Sequence, residues 1–556
     1  MEENQFDVVV LGTGLVESIT AAALSKAGYK VAHIDSNPYY GGEEASLSLE
    51  ELAQWADSTS NSSTSSRFHH ISRSVDIPTQ SRQYAICLRP SVIPSVGPFI
   101  SSLIMSGVAK YSGFRLLGSF SVYESSGRMK NVPGSKEDIF KSKDISLIEK
   151  RRLMRFLTFA AGDFSGKKEL EGKHDMPFIQ FLQSTFSLSE ETSGVIAYSL
   201  AFCMSSSEPT LFTLQRLQRY LRSAGRYGPS PFLIGHYGGI GDIAQGFCRA
   251  SAVNGGVYIL ARKVTKISRA KFVLPHHDSD VPTTEHDVQP IFTYDLTLAD
   301  FPETLSCKLI ISSTSYIPSD FGDEVLQLSS SSQASRLNIA SIARCIAVID
   351  EPLTFQSPAP GSSDQGVEAQ FNASLSADTR SIVDTAVLVF PPSSVAGGST
   401  THSSTIFVNG EGSLSTPKGK WLIYIGLPLG TQQDAFIPPE ALLTPYLNAV
   451  MRLSTDPSKA PIKPIFTIFY LESPTPPVPG SHSENHTAPN TYLVPPPLPT
   501  ASLPDVGDES ALIAETTFLE AVKVLRKIGG HAEEAVDDIP FWPPLPADED
   551  NDDDEW

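Results

Sequence analysis

The sequence contains little cysteine, no long hydrophobic run and no excess of basic residues. Its five cysteines are scattered over 556 residues without CxxC pairing, which argues against both a disulfide framework and a zinc site. No run of about eighteen apolar residues occurs, so no membrane-spanning helix is expected. A formal net charge of −20 argues against nucleic acid and anionic lipid surfaces as partners. These absences predict a cytosolic globular protein.

The N-terminal sequence has the pattern of a dinucleotide-binding fold. An apolar strand, an alanine-rich helix and a second strand are expected at residues 6–12, 15–28 and 29–35. Gly12 and Gly14 supply two glycines of a phosphate-binding turn, and Asp35 stands where a ribose-binding acid belongs. We therefore predict an α/β fold that opens with a Rossmann-type βαβ unit.

The third position of this turn carries Glu17 instead of a small residue. The helix dipole favours a carboxylate in the first turn of a helix, which explains Glu17 without any function. The same carboxylate would also face a bound pyrophosphate. Two like charges about 4 Å apart cost roughly 4 kcal/mol at an effective dielectric constant near 20. The sequence therefore predicts a flavoprotein-like scaffold that has lost its cofactor, with a displaced or rotated cofactor as the alternative.

The rest of the chain divides into an α/β body, a helical insertion and polar segments. A loop is expected at residues 55–80, and buried strands are expected at 305–313 and 419–426. The predicted parts, in chain order, are the first part of the body (1–135), a helical domain (136–230), the remainder of the body (231–472), a proline-rich linker (473–508), and a C-terminal helix with an acidic tail (509–556).

Two motifs carry a family resemblance. NPYYGG at 37–42 and HYGGIGDIAQGFCRASAVNGGVYIL at 236–260 resemble the superfamily of Rab GDP-dissociation inhibitors and Rab escort proteins. The opening LGTGLVES is similar to the family's first turn, including the acid in place of the third glycine. The resemblance implies a flavin-monooxygenase-like body with a smaller, inserted all-helical domain. It also implies a non-catalytic protein that binds GDP-bound Rab GTPases and shields their C-terminal geranylgeranyl groups, without a metal or cofactor.

The resemblance assigns a Rab-binding platform to five positions of the α/β body. Its tyrosine falls on Tyr40, its arginine on Arg249, and its acid on Asp242, where the family more often has glutamate. Its apolar neighbours fall on Val257 and Ile259. An aromatic anchor, charged groups and an apolar centre are usual components of a protein interface. The alternative is that Asp242 and Arg249 pair with each other and only order the turn.

The resemblance also implies a hydrophobic groove for the C-terminal tail of the Rab. The groove residues would be Ile100, Leu103, Ile104 and Val108. Their spacing is helical, so the alternative is ordinary core packing of one face of a helix. The residues alone do not decide between a groove and a core.

One helix distinguishes the two branches of the superfamily. Phe159, in RRLMRFLTFAAGDF, falls where escort proteins place a phenylalanine that docks into the α subunit of the Rab geranylgeranyltransferase α/β heterodimer. Packing inside the helical domain is the alternative role of Phe159. The surrounding FLTF, the chain length and the polar inserts favour the escort branch.

We therefore predict an escort protein, which presents unprenylated Rab to the transferase and then chaperones the prenylated Rab to membranes. It would be a monomer outside the complex and would associate with membranes transiently. A dissociation inhibitor that recycles prenylated Rab is the alternative within the superfamily. An FAD-dependent oxidoreductase is the alternative from another class.

Overall fold

The computed structural model describes residues 4–60, 67–124, 127–131, 145–272, 291–313, 316, 341–355, 382–430, 437–453, 458–473, 491–499, 502–529 and 539–543. The helices are α1 (Leu15–Lys26), α2 (Leu49–Ser60), α3 (Pro98–Ser106), α4 (Leu147–Ala161), α5 (Phe178–Phe186), α6 (Glu190–Val195), α7 (Thr210–Ser223), α8 (Ile240–Val253), α9 (Pro439–Met451) and α10 (Val506–Ile528). The strands are β1 (Gln5–Leu11), β2 (Val31–Ile34), β3 (Ser46–Leu47), β4 (Phe68–Arg73), β5 (Ile86–Cys87), β6 (Ile93–Pro94), β7 (Phe114–Leu116), β8 (Ser119–Tyr123), β9 (Met129–Asn131), β10 (Phe232–Gly235), β11 (Val257–Ile259), β12 (Val264–Phe272), β13 (Ile291–Leu298), β14 (Leu305–Ser312), β15 (Ser341–Ile349), β16 (Thr385–Phe390), β17 (Ser404–Asn409), β18 (Trp421–Leu429), β19 (Phe466–Glu472) and β20 (Tyr492–Leu493).

The predicted βαβ unit forms the centre of a seven-stranded sheet. Its strand order is β11-β2-β1-β14-β13-β12, with β20 beside the carboxyl half of β14. β1 pairs in parallel with both β2 and β14. Val8 and Val10 of β1 pack into a cluster with α1, α8 and α10, whereas Val9 and Leu11 face a second cluster with β13. β1 is apolar over most of its length because both of its faces are buried.

A second, eight-stranded sheet has the order β4-β19-β15-β18-β17-β16-β8-β9. Its pairs are antiparallel except for β8 and β16, which run in parallel. One face packs against the helical domain, and the other packs against α9. Alternate residues of β15 therefore enter two different cores, since successive side chains of a strand point to opposite faces. The buried strand expected at 419–426 is β18, and the one expected at 305–313 is β14 of the first sheet.

The helical segment consists of α4 to α7, inserted between β9 and β10. α4 begins at the N-cap Ser146, whose side chain accepts the backbone N–H of Glu149. Buried phenylalanines from α4 and α5 form the centre of this segment, among them Phe156, Phe181 and Phe186. The fold is thus an α/β multidomain fold with a helical insertion, as expected. No helix in the described ranges has the length and apolar character needed to span a membrane.

The prediction of a loop at residues 55–80 is wrong for two parts of this range. Residues up to Ser60 belong to α2, and residues 68–73 form β4 at the edge of the eight-stranded sheet. Trp55 packs edge-on against Phe68 and Tyr470, with ring centroids 5.4 and 5.6 Å apart. These aromatic contacts order both flanks of a serine-rich stretch whose composition alone predicts a loop.

The linker expected at 473–508 also contains ordered structure. Tyr492 and Leu493 form β20, which pairs in parallel with β14 of the seven-stranded sheet. Tyr492 is buried, and its ring packs edge-on against Tyr294. The helix expected from residue 509 begins earlier, at Val506. The proline-rich composition did not indicate β20, because this strand is stabilised by pairing with β14, which is distant in the sequence.

Candidate functional site

Two acidic side chains of the protein occupy the N-terminus of α1, where a dinucleotide turn would receive a pyrophosphate. Glu44 Oε2 accepts the backbone N–H of Leu15 at 3.2 Å. The other oxygen of Glu44 pairs with Arg89 Nη1 at 2.7 Å. A Cβ atom on Gly14 would lie 2.6 Å from Glu17 Oε2, so Glu17 lies directly against the turn. The N–H groups and the space that a phosphate needs are already in use.

Glu17 is buried at this position. Burial is the main reason that the pKa of its carboxyl is raised to about 8. The nearby carboxyl groups of Glu44, Glu43 and Asp35 contribute to this increase, and a backbone hydrogen bond opposes it. Glu17 is therefore protonated in the native protein at neutral pH. The neutral side chain of Glu17 therefore fills the space beside the turn by its volume. It does not repel a phosphate through a negative charge.

Asp35, the acid expected to bind a ribose, is also fully engaged. Its Oδ2 accepts the backbone N–H of Thr13 at 2.8 Å and the Thr13 hydroxyl at 2.5 Å. Its Oδ1 accepts the backbone N–H of Asn37 at 2.8 Å and the Tyr316 hydroxyl at 2.5 Å. The Tyr316 ring would lie 3.0 Å from a Cβ atom on Gly12. The residues of this turn therefore do not fit a flavin dinucleotide.

Replacing Glu17 by glutamine is expected to stabilise the protein at neutral pH. The native carboxyl keeps its proton up to about pH 8, whereas the same group in the unfolded chain ionises near pH 4.5. Folding therefore takes up a proton between these two pH values, and the stability falls as the pH rises through that window. At about 1.4 kcal/mol per pKa unit, the wild type loses up to about 3 kcal/mol by pH 7. Urea unfolding of wild type and Glu17→Gln at pH 5 and pH 7 measures this difference.

Glu50→Gln is a matched control for this experiment. Glu50 also lies in the first turn of a helix, but its side chain is exposed. We expect this substitution to change the stability by less than about 0.5 kcal/mol at either pH. If Glu17→Gln retained the pH slope of the wild type, the buried, protonated carboxyl at the turn would be refuted.

The NPYYGG loop lies directly over the turn and thereby positions Tyr40. Gly41 and Gly42 have φ of +101° and +52°, which favour glycine. A Cβ atom on Gly42 would lie 3.2 Å from Gly14, and the N–H of Gly41 donates to the Thr13 carbonyl at 3.1 Å. Tyr40 is half-buried, and its ring packs edge-on against Tyr258 at a centroid distance of 5.8 Å. The loop and β11 are thus in contact.

α8 presents the predicted charged residues of the platform. Asp242 lies in its first turn and is half-buried, and burial raises the pKa of its carboxyl. Arg249 is exposed seven residues later, which is about 10 Å along the same helix face. These two side chains form no ion pair with each other. The guanidinium of Arg249 instead lies 5.0 Å from the centroid of the Tyr111 ring. The structure therefore does not show the alternative in which Asp242 and Arg249 form an ion pair that orders the turn.

β11 is the edge strand of the seven-stranded sheet beside this helix. Val257 is 42% exposed, and Ile259 is half-buried against the cluster on the far face of the sheet. Tyr258 points the other way, where its ring lies beside His33 and Tyr40. Val257 and Ile259 thus lie at the sheet edge and not on the face that carries α8. Tyr111, which contacts Arg249, and Tyr258, which contacts Tyr40, were not among the residues predicted from the sequence.

The predicted tail groove is closed in this structure. Ile100, Leu103 and Val108 are buried in the core, in agreement with the packing alternative. Ile104 remains 37% exposed, together with Met105 at 41%. Gly246 allows the chain after α3 to approach α8 closely, because a Cβ atom there would lie 2.9 Å from Val108 Cγ1. The groove residues and the platform helix are therefore packed against each other.

Phe159 also lies in a core. It is 7% exposed, and its ring packs against those of Phe181 and Phe186 at centroid distances of 6.2 and 5.2 Å. Lys167 Nζ lies 5.5 Å from the centroid of the Phe159 ring. The packing alternative is therefore what the structure shows for this side chain. The solvent-exposed residues of the same helix are Leu147, Ile148, Arg151, Arg152, Arg155, Thr158 and Ala161.

A buried ionic network connects this site to the second sheet. Glu472, at the end of β19, is fully buried, and its Oε1 lies 3.0 Å from Arg67 Nη2 and 2.9 Å from Arg89 Nε. Arg344 of β15 donates to the other oxygen of Glu472. Because Arg89 also pairs with Glu44, the network runs from the N-terminus of α1 to the eight-stranded sheet. No sequence motif indicated it, since its members are far apart in the chain.

Residues 1–282, about half of the chain, match the family model described as GDP dissociation inhibitor. The chain is also 37% identical over 265 residues to the Rab proteins geranylgeranyltransferase component A of Candida albicans, covering 47% of this chain and 41% of that protein. The proteins of the same name from Drosophila melanogaster and Saccharomyces cerevisiae are each 32% identical, over 345 and 279 residues. These matches cover 58% and 50% of this chain and 62% and 46% of the two proteins. The chain thus matches less than two thirds of the length of each of these relatives.

Two solved structures have a similar fold. A Rab GDI from Plasmodium falciparum matches with a TM-score of 0.57 at 19% identity, over 96% of this chain and 100% of that chain. An oxidoreductase from Methanosarcina mazei matches with a TM-score of 0.53 at 13% identity, over 92% of this chain and 99% of that chain. At these identities the likeness shows the fold alone. The same α/β architecture thus occurs in a Rab-related protein and in an oxidoreductase.

Proposed function

The chain belongs to the GDP dissociation inhibitor family, and we propose that it serves within this family as a Rab escort protein. In this proposal it binds GDP-bound, unprenylated Rab GTPases and presents them to the Rab geranylgeranyltransferase α/β heterodimer. It then shields the attached geranylgeranyl groups in the cytosol and delivers the Rab to membranes by transient contact. The chain itself is a non-catalytic accessory subunit. The names of its relatives favour this branch over a recycling inhibitor.

The observation that carries the proposal is the surface built over the closed dinucleotide turn. The turn holds the NPYYGG loop, the loop holds Tyr40 against β11, and the neighbouring α8 exposes Arg249. A half-buried tyrosine beside an exposed arginine and a half-buried acid, Asp242, suits an interface with a folded partner. A flavin oxidoreductase would need the same turn for its cofactor, and the residues there do not fit one.

Each part of the proposed cycle uses a different region of the fold. The platform holds the GTPase domain, and α3 contributes to binding of its C-terminal tail. The exposed face of α4, beside Phe159, contacts the transferase, so that the tail cysteines are delivered at high effective concentration. After transfer, the helical segment shelters the lipid, because each buried CH₂ group is worth about 0.8 kcal/mol. These assignments rest on the family and on the placement of the residues.

A reconstituted prenylation assay tests the function. Purified chain is mixed with the transferase, geranylgeranyl diphosphate and unprenylated, GDP-loaded Rab, and lipid transfer is measured with and without the chain. An escort protein increases transfer strongly. If transfer did not increase while the chain still extracted prenylated Rab from membranes, the chain would be a recycling inhibitor. If the chain bound no Rab and carried flavin absorbance, it would belong to the oxidoreductase class.

Replacing Arg249 by alanine is expected to weaken binding of GDP-bound Rab by about thirtyfold or more, the effect of removing an arginine at an interface hot spot. The substitution removes an exposed side chain and its contact with Tyr111, so the fold should be preserved. Titration calorimetry with the Rab measures the effect. Arg452→Ala, at an exposed arginine beyond the C-terminal end of α9, is the matched control and should bind like wild type. Equal affinities of all three proteins would remove Arg249 from the interface.

A further inference from the structure

A short aromatic segment near the end of the chain packs back onto the α/β body. Residues 539–543 have the sequence IPFWP. Trp542 is 5% exposed, and its Nε1 donates a hydrogen bond to Ser102 Oγ of α3 at 3.1 Å. Its ring stacks on Phe247 of α8, with centroids 6.1 Å apart and 24° between the planes. A buried tryptophan with its N–H satisfied is held in a defined cleft.

Phe541 adds a second ring to this contact. It lies 5.4 Å from the Phe518 ring of α10 and 4.7 Å from the Trp542 ring, measured between centroids. α3, α8 and α10 thus each contribute a contact residue to one cleft, here called the aromatic cleft (Ser102, Phe247, Phe518). The segment belongs to no helix or strand. Ile539 also packs against the hydrophobic cluster that contains Trp542.

The aromatic cleft adjoins the helix expected to hold the partner's tail. Ser102 lies between Ile100 and Ile104 on α3. Ile100 and Leu103 belong to the same hydrophobic cluster as Trp542 and are buried with it. Ile104 and its neighbour Met105 alone present too small a surface for an extended apolar peptide. The segment 539–543 covers the part of α3 that carries Ser102.

The segment resembles an extended apolar tail in shape and chemistry. Prolines on both sides of Phe541 and Trp542 restrict the backbone to extended conformations. The segment is covalently attached to the body about ten residues beyond α10, so it meets the cleft at a high effective concentration. A free tail peptide therefore competes poorly with the tethered segment for the aromatic cleft. A tail whose GTPase domain is already docked on the platform is tethered as well, and it competes on equal terms.

We propose that residues 539–543 occupy, in the free protein, the cleft that receives the apolar C-terminal tail of the Rab partner, and that the docked tail displaces them. This inference rests on the proposed function and adds a regulatory contact to it. The segment then selects partners that bring both a docked GTPase domain and an apolar tail. Release of Trp542 accompanies formation of the complete complex.

The experiment compares the full-length chain with its Trp542→Ala variant. The affinities of both proteins are measured for GDP-loaded Rab with its complete tail and for the same Rab without its tail. We expect Trp542→Ala to bind the tail-bearing Rab about tenfold more tightly than wild type and the tailless Rab with unchanged affinity. Ser102→Ala, which removes the hydrogen-bond acceptor from α3, should shift the affinity in the same direction by a smaller factor. Trp556→Ala removes a tryptophan from the same tail and should bind both Rab forms like wild type.

The possible failures are distinguishable. If both Rab forms bind wild type and Trp542→Ala leaves both affinities unchanged, the inference is overturned and the proposed function stands. If Trp542→Ala weakens both affinities and lowers the melting temperature, Trp542 is a packing residue, which also overturns the inference. If neither Rab form binds wild type, the proposed function itself fails. A peptide DDIPFWPPLP, added to Trp542→Ala, should weaken its binding of the tail-bearing Rab again, and no such competition would count against the cleft.

Discussion

Replacing Glu472 by glutamine is expected to lower the free energy of unfolding by about 4 kcal/mol or more. The carboxylate is shared by Arg67, Arg89 and Arg344, all of them buried. Removing one partner of a buried ion pair costs about 3–5 kcal/mol because an uncompensated charge remains, and here three guanidinium groups lose their common partner. Since a folded domain is stable by only about 5–15 kcal/mol, the variant should unfold at much lower urea concentration or temperature.

The pH dependence provides a second test of the same carboxylate. Burial by itself would raise the pKa of Glu472, but Arg344, Arg89 and Arg67 lower it to about 2. The stabilising effect is therefore complete above pH 4.5, the ordinary value, and is lost as the pH falls towards 2. Wild type should lose stability over this window, and Glu472→Gln should lack that part of the acid transition. Glu440→Gln, at an exposed glutamate of α9, should change the stability by less than about 0.5 kcal/mol. A Glu472→Gln protein as stable as wild type at pH 7 would contradict the network.

Replacing Phe159 by alanine is expected to destabilise the helical segment by about 3–5 kcal/mol, the usual cost of truncating a buried phenylalanine. Its ring fills the space between Phe181 and Phe186 and carries Lys167 on its face. Under the proposed function, the variant should also lose binding of the transferase and retain binding of Rab, because the platform lies on the α/β body. Urea unfolding and two separate binding titrations measure these three effects.

Two further variants separate docking from packing at Phe159. Phe159→Leu keeps most of the buried volume, so a folded Phe159→Leu protein that fails to bind the transferase would show that the ring itself docks. Phe181→Ala truncates another buried ring of the same cluster. If Phe181→Ala and Phe159→Ala lose transferase binding to the same extent, Phe159 acts only through packing. Loss of Rab binding in either variant would mean that the helical segment supports the platform.

Much of the α/β opening was predictable because its signals are local. Strand, glycine turn, helix and acid follow one another within Gln5–Asp35, and the structure confirms this order. The two glycine-rich motifs identified the family, which the match over residues 1–282 confirms. The NPYYGG loop illustrates the same principle, because its positive φ angles at Gly41 and Gly42 demand glycine whatever surrounds them. Local backbone geometry restricts the sequence at each of these positions.

Helical spacing showed that α3 has an apolar face, but it could not show what covers that face. Ile100 and Leu103 could equally have lined a groove, and only the packing of α10 and Trp542 places them in a core. The same holds for Phe159, whose burial depends on α5.

The sequence by itself determined the fold class and the family, because both are written in contiguous motifs with strict backbone requirements. Only the tertiary structure decided that Glu17 is buried and protonated, that Glu472 gathers three arginines, and that Trp542 covers α3. Burial and charge pairing depend on residues hundreds of positions apart. A local pattern specifies which side chains are apolar or charged, and the packing of distant segments determines which of them meet solvent, an ion partner or another protein.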